Sequence, residues 1–383
     1  MTLPAVDFVN AKVLLPGVGL KSAGLSLAEG KIQAYVTGRQ ADLTGFMVLP
    51  GIIDLHGDAF ERHVAPRRGA MPDMNEGIAA AEAEIATCGI TTAVLAQFVS
   101  WEGGLRGMEF ADKVFRAISA TRHDLVTDLI PQLRFETHLL DDYAALPNMV
   151  DDWQVDYVVF NDHLPHDRLA AGKKPPRLTG QALKAGRNPD RHWDLLRALH
   201  RRSPDVPRAL DELTPLLSAK GVRMGSHDDA TDQDRDRWRR RGVCIAEFPE
   251  TAEAARNARD NGDAVILGAP NVVRGASHKG NASASDLVAQ GLCDALASDY
   301  HYPSPRRAVQ ALVARGVCDF ATAWGMISSG PARVLGLSDR GDLSPGKRAD
   351  LAILDERTFR VAGTLSGGRF SYLSGDLATR ILN

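Results

Sequence analysis

A chain of 383 residues, 44% hydrophobic and 24% charged, is long enough to bury one large domain and a smaller satellite without covalent staples. Its formal net charge of -3 excludes a global positive field, so nucleic acid and anionic membrane are not expected as partners and an anionic ligand must be captured locally. The four cysteines (Cys88, Cys244, Cys293, Cys318) are far apart and form no C-x-x-C pair, which reads as buried free thiols in a reducing compartment.

The N-terminal stretch MTLPAVDFVNAKVLLPG lacks a basic segment followed by an unbroken apolar run, and no window approaches 18 uncharged apolar residues; a cytoplasmic protein is expected. Residues 1–48 alternate short β-like runs with glycine turns, a pattern suited to a small all-β unit. From Val48 onward apolar runs recur between helix-length segments: VLPGIIDLHGD, GITTAVLAQF, LIPQLRFETHLL, VDYVVFNDH, GVRMGSHDD, GVCIAEFPE, AVILGAPNVV and CDALASDY. Eight strands separated by crossover helices are the count of an α/β (β/α)8 TIM-like barrel. In the first crossover, Asn75 is read as the cap of a helix through EGIAAAEAEIAT, and Gly89 as its end. A doubly wound sheet is the rival, but no G-x-G-x-x-G follows the first strand.

The connection from Leu164 to about Arg208 is long and rich in cations, among them Lys173, Lys174 and Arg177; a long structured insertion after a barrel strand is more often functional than not. Beyond Asp319 a helical region, FATAWGMISSGPARVLGL, leads into GDLSPGKRADLAILD, whose turn-and-strand character matches the N-terminal segment. The expected domains are therefore 1–48 plus 340–383 as one composite β-domain, and 49–339 as the barrel.

Barrel active sites collect at the C-terminal ends of the strands. In IIDLHGD the two-residue spacing turns His56 and Asp58 to one side of the strand, where both could bind one ion. Other strands give out into ligand types in the same way: Glu136, Asp162 with His163, His227, Glu247 and Asp299. So many ionisable groups brought together out of water call for a compensating cation. The metal ligands expected are His56, Asp58, Glu136, His163, His227 and Asp299. Asp162 and Glu247 are left open between ligand and hydrogen-bonding roles, and Asp54 is read as supporting the site rather than binding. Mixed imidazole and carboxylate donors suit Zn, and also Mn or Fe, as one ion or as two sharing Glu136. His278, Lys279 and Asn281 in GASHKGN form a polar, glycine-flanked stretch suited to an anion.

Taken together, LPGIIDLHGD, GITT, the late Asp299, SGPARVLGL and GDLSPGKRADLAILD resemble the amidohydrolase superfamily over nearly the whole chain. Within it, HGDAFERHVAPRRG, FNDH, SHDDAT, IAEFPETAEAA and GAPNVVRGASHKGNASA resemble the phosphonate-metabolism branch (PhnM), the alpha-D-ribose 1-methylphosphonate 5-triphosphate diphosphatases. The resemblance implies a barrel with a composite β-domain, a divalent metal, and hydrolysis of a small phosphorylated sugar within the carbon-phosphorus lyase pathway: the 5-triphosphate would give the 5-phosphate and pyrophosphate. The segment LPHDRLAAGKKPPRLTGQALKAGRNPDRHW departs from that branch.

On this reading Asp299 takes the proton of the attacking water, and His63, Arg67, Arg68, His278, Lys279 and Asn281 bind the substrate, the cations among them around the departing pyrophosphate. Two other readings remain at this stage: an amide-cleaving hydrolase such as a deacetylase or cyclic amidase, and a non-catalytic ligand-binding member. Assembly into a homo-oligomer is left open by the sequence.

Overall fold

The computed structural model describes residues 2–67, 73–275 and 282–382. Sixteen strands are present among them. The first five are β1 (Val6–Leu15), β2 (Gly19–Ala28), β3 (Lys31–Gln33), β4 (Gln40–Asp42) and β5 (Phe46–Pro50). Eight more follow at wide intervals: β6 (Ile52–Gly57), β7 (Ile90–Val99), β8 (Asp128–Glu136), β9 (Tyr157–Asn161), β10 (Arg223–His227), β11 (Ile245–Glu247), β12 (Ala264–Gly268) and β13 (Ala295–Ala297). The last three are β14 (Leu351–Asp355), β15 (Val361–Ser366) and β16 (Arg369–Leu373).

Strands β6 to β13 form one eight-stranded sheet in chain order. The resolved registers are parallel, as between β8 and β9 and between β12 and β13. A parallel isolated bridge between Gly57 and Asp299 draws the end of β6 to the segment after β13. The result is a nearly closed (β/α)8 barrel, as expected. The other eight strands make a separate sheet in the order β16-β15-β14-β5-β1-β2-β3, with β4 beside β1.

By contact density the chain divides into two compact units, Met1–Leu95 with Ala120–Ile130 and Ala264–Asn383, and Ala96–Ser119 with Pro131–Asp263. In the first, β14 lies antiparallel to β5, pairing Leu351 with Pro50 and Ile353 with Val48. Phe8, Val13, Leu43, Val48, Leu351, Ile353 and Leu365 pack into one apolar core, which is why residues from both chain ends must fold together. The turns at the ends meet tightly: a Cβ on Gly368 would stand 2.6 Å from the Gly30 Cα, and both glycines have positive φ.

Three local expectations are corrected. The run VLPGIIDLHGD is not one strand, because it breaks at Gly51: Phe46–Pro50 pairs into the antiparallel sheet and only Ile52–Gly57 enters the barrel. A Cβ on residue 51 would meet the Thr91 side chain at 2.3 Å, so the chain changes sheets where only glycine fits. The first crossover helix, Met74–Thr87, is capped by Asp73, whose carboxylate accepts from the Asn75 amide, and not by Asn75; Gly89 follows it with φ +84°. Of the cysteines only Cys88 is buried, while Cys244 is exposed.

In the second unit the segment after β9 is helical: His166–Ala170, Leu178–Lys184 and Pro189–Arg201. These helices bury Leu169, Leu178, Leu196 and Leu199 against Trp101 and Leu164 as a satellite core, so the departing segment is a packed element. Asn188 caps the longest of them, accepting from the Asp190 and Arg191 amides. Among the described residues no helix is long and apolar enough to cross a membrane.

Candidate metal centre

The expected ligands fall into a set on each compact unit. In the first unit β6 carries Asp54 and His56, both fully buried, on one face by the two-residue period of a strand. Asp299 is tied to this strand through the backbone: its amide donates to the His56 carbonyl at 2.8 Å, and the Asp58 amide donates to the Asp299 carbonyl at 3.1 Å. His56, Asp58 and Asp299 are thus brought together at one strand end. Asp299 has φ +55°, a left-handed conformation that costs a non-glycine residue energy and persists only where the surroundings hold it. Asp228 after β10 and Phe248 after β11 also have positive φ, 62° and 54°, so strained residues recur at the same end of three strands.

Asp54 lies below His56 and accepts from the Ser298 amide at 2.8 Å and from the Ser298 hydroxyl. Burial raises its pKa, against the pull of those hydrogen bonds. It ties β6 to the segment after β13, two residues before His56 on the same face. Gly57 has no room for a side chain: a Cβ would meet Tyr302 Cε1 at 2.7 Å and Asp54 Oδ2 at 2.8 Å. The Tyr302 hydroxyl is buried with no hydrogen-bond partner among the described residues. Burial raises its pKa well above the ordinary value, and the Asp54 and Asp58 charges add to that.

In the second unit the sequence QLRFE alternates: Gln132, Arg134 and Glu136 share one face of β8, and Leu133 and Phe135 the other. Glu136 is fully buried and accepts the His163 amide at 2.7 Å, with His163 Nδ1 3.4 Å from its other oxygen. Burial raises its pKa well above the carboxylate range, and the Asp162 charge adds to this. The His163 imidazole is pulled down to about 4, first by burial and then by Arg134, so near neutrality it is unprotonated, as a metal ligand must be. His227 stands with its ring centroid 6.1 Å from that of His163. Its Nδ1 is 3.2 Å from Asp228 Oδ1, and ligand atoms of His163, His227 and Asp228 lie within 4.8 Å of one another. Glu136 and His227 thus both lie beside His163, and Asp228 lies beside His227.

Asn161, the register partner of Glu136 on β9, presents its side chain to the same face. It is buried, and neither its amide nitrogen nor its oxygen has a hydrogen-bond partner among the described residues. A buried amide left in this state beside a buried carboxylate marks a place meant for a further polar group. With imidazole and carboxylate donors around it, the arrangement fits a divalent cation.

Glu247 and Asp162, left open between ligand and hydrogen-bonding roles, have these surroundings. Glu247 is fully buried, and one of its oxygens accepts from Tyr157 Oη at 2.6 Å and Gln132 Nε2 at 2.9 Å, a structural hydrogen-bonding role for that oxygen. Asp162 contacts His166, its Oδ2 3.0 Å from the His166 Nε2. Arg134 went unnoticed in the sequence. It is buried, its Nη2 lies 3.3 Å from His227 Nε2, and its guanidinium sits 4.8 Å from the Phe98 ring centroid. The signal was its two-residue spacing from Glu136, which fixes it on the inward face.

Among the substrate-binding candidates, Arg67 is exposed, and His63 Nε2 lies 2.6 Å from Glu84, which also pairs with Arg62. Arg68, His278, Lys279 and Asn281 lie outside the described residues.

Comparison with known proteins places this geometry. The Amidohydrolase family profile matches residues 185–368. The chain is 32% identical over 359 residues to alpha-D-ribose 1-methylphosphonate 5-triphosphate diphosphatase of Escherichia coli (strain K12), covering 90% of this chain and 93% of that protein. Among solved structures it resembles N-acetylglucosamine-6-phosphate deacetylase from Pasteurella multocida, at TM-score 0.63 and 12% identity over 96% of this chain and 99% of that one. It also resembles beta-aspartyl dipeptidase from Fervidobacterium islandicum AW-1, at TM-score 0.62 and 14% identity over 97% and 98%. Those two likenesses are of fold, whereas the identity along the E. coli protein is of family: this chain is a hydrolase and belongs to the amidohydrolase superfamily, in the phosphonate-metabolism branch that holds that diphosphatase.

Proposed function

We propose that this protein is a metal-dependent diphosphatase that converts alpha-D-ribose 1-methylphosphonate 5-triphosphate, or a closely related sugar triphosphate, to the 5-phosphate and pyrophosphate in phosphonate catabolism. The observation that carries this reading is the identity to the E. coli enzyme, which runs through 90% of the chain. The proposed metal ligands are His56, Asp58, Glu136, His163, His227 and Asp299, with Zn as the first candidate ion, Mn or Fe as others, and one or two ions per chain.

The bound cation would supply a nucleophile at neutral pH and neutralise charge on the phosphoryl group. The protein's own groups do the rest. Asp299, held by backbone hydrogen bonds to the β6 end, accepts the proton of the attacking water. Arg134, beside His227, binds a phosphoryl oxygen, a task suited to a buried guanidinium. His63, Arg67, Arg68, His278, Lys279 and Asn281 are proposed to bind the triphosphate and the leaving pyrophosphate. Residues 1–48 with 340–383 are proposed as a supporting β-domain to a barrel of 49–339, in a cytoplasmic enzyme that needs neither membrane nor nucleic acid.

The test is product analysis with metal-replete protein. Pyrophosphate released from the ribosyl triphosphate is measured beside the turnover of N-acetyl sugars and hydantoins, with and without prior chelation. Metal-dependent pyrophosphate release is expected. Amide turnover without pyrophosphate release would overturn the proposal.

A further inference from the structure

Beyond the group around Glu136, the second unit carries a cluster that shares no residue with it. We propose that His138, Asp162 and His166 form a separate binding site for a borderline divalent cation of the Zn2+ class, at the base of the helical insertion.

The three residues arrive from three elements. His138 lies two residues past β8, Asp162 directly follows β9, and His166 opens the helix His166–Ala170. Ligand atoms of all three lie within 4.8 Å of one another. Asp162 Oδ1 is 3.5 Å from His138 Nδ1 and 3.1 Å from His166 Nε2. A tetrahedral ion with bonds of about 2.0–2.1 Å holds its ligand atoms roughly 3.3 Å apart. The spacing already present is therefore that of adjacent corners of such a site.

The remaining imidazole nitrogens carry the stronger argument. A metal-binding histidine normally hydrogen-bonds through its other nitrogen, which fixes tautomer and ring orientation. His138 Nε2 lies 3.1 Å from the Ser203 hydroxyl, which can accept its proton and leave the Nδ1 lone pair on the side of Asp162, with the Thr137 hydroxyl at 3.4 Å as a weak neighbour that an ion would displace. His166 Nδ1 lies 2.9 Å from His200 Nδ1, so it can donate there and keep Nε2 for the ion. Both histidines thus have the supporting partner that a ligand needs, and His200 and Ser203 belong to the far end of the same insertion. The His138 and His166 rings stand 5.1 Å apart at 48°, splayed about a common point.

Two imidazoles and one carboxylate select a borderline ion over Ca2+ or Mg2+, which prefer all-oxygen shells. The Asp162 side chain is 45% exposed, leaving a coordination position open to solvent or to an exogenous ligand. An ion bound here would take the place of the His166–Asp162 contact. Its binding ties the ends of β8 and β9 to the insertion, in the stretch where the sequence departs from the family pattern.

The probe is Co2+. Full-length protein is stripped with a chelator and titrated with Co2+, and bound metal per chain and the ligand-field absorption are compared for wild type, His166→Ala, Asp162→Asn and His227→Ala. One equivalent and its absorption band should be lost in His166→Ala and Asp162→Asn but kept in His227→Ala. The near-isosteric Asp162→Asn reads the site even if His166→Ala fails to fold. Equal cobalt content and equal spectra in wild type and Asp162→Asn would overturn the proposal. This difference is read from side chains outside the Glu136 group, so a failure to release pyrophosphate would leave it standing.

Discussion

The loop that presents His227 is anchored by one fully buried arginine, and removing it is a severe test of how the site is held. Arg235 Nη1 donates to the Ser226 hydroxyl at 2.6 Å and to Asp229 at 2.9 Å, while Nη2 donates to Asp263 at 2.7 Å and to the Val243 carbonyl at 3.1 Å. Ser226 and Asp229 bracket His227 in the chain, so the guanidinium fixes both sides of a proposed ligand. In Arg235→Met, Asp263 keeps its bonds from Arg239, but among the described residues Asp229 is left buried with the Ser226 hydroxyl as its one side-chain partner. Stranding one member of a buried ion pair costs about 3–5 kcal/mol. The unfolding entropy of a 383-residue chain, at roughly 2.1 cal/mol/K per residue, is about 0.8 kcal/mol/K, so the melting temperature should fall by about 4–6 °C. Adding Asp229→Asn removes the stranded charge and should recover at least half of the loss. Calorimetry of the wild type, single and double variants provides the comparison, with metal affinity of the single variant expected to drop roughly 10- to 100-fold as the His227 support loosens. A single variant melting within about 1 °C of wild type would refute this account of the network.

Four further outcomes are expected. Glu136→Gln keeps the shape of a fully buried side chain but replaces a carboxylate oxygen beside His163 with an amide, and steady-state kinetics should show kcat reduced by about 100-fold or more with the fold unchanged by circular dichroism. Arg134→Met should lower kcat/KM for the triphosphate by roughly 10- to 150-fold, the equivalent of about 1.5–3 kcal/mol for a charged hydrogen bond, whereas an enzyme of neutral amides would lose little. Gly57→Ala drives a Cβ to 2.7 Å from Tyr302 and should cost about 1–3 kcal/mol in urea unfolding; Gly180→Ala, in the helix Leu178–Lys184 with nothing within 4 Å, should instead stabilise by about 0.4–1 kcal/mol.

Much of the barrel was legible because its signals are local. A run such as AVILG between helix-length segments needs only its own side chains to be recognised as a strand, and the two-residue period places His56 over Asp54 whatever packs around them. The same period put Arg134 on the Glu136 face, although an arginine in an apolar run does not announce itself as part of a metal site. Where the reading slipped, a distant residue decided. Strand VLPGIIDLHGD breaks at Gly51 because Thr91 occupies the space a Cβ would need, and Asp73 takes the cap because its carboxylate reaches the Asn75 amide first.

By itself, then, the amino-acid order determined the strands, their sequence along the sheet and which ionisable residues stand at their ends, because alternation and helix spacing are properties of consecutive residues. Tertiary structure alone decided what each of those groups faces. Glu247 spends an oxygen on Tyr157 and Gln132, ninety and more positions away, and Asp162 meets His138 and His166. The physical reason is that charge, protonation and metal affinity depend on burial and on partners brought from elsewhere in the chain, and no local pattern encodes which partners arrive.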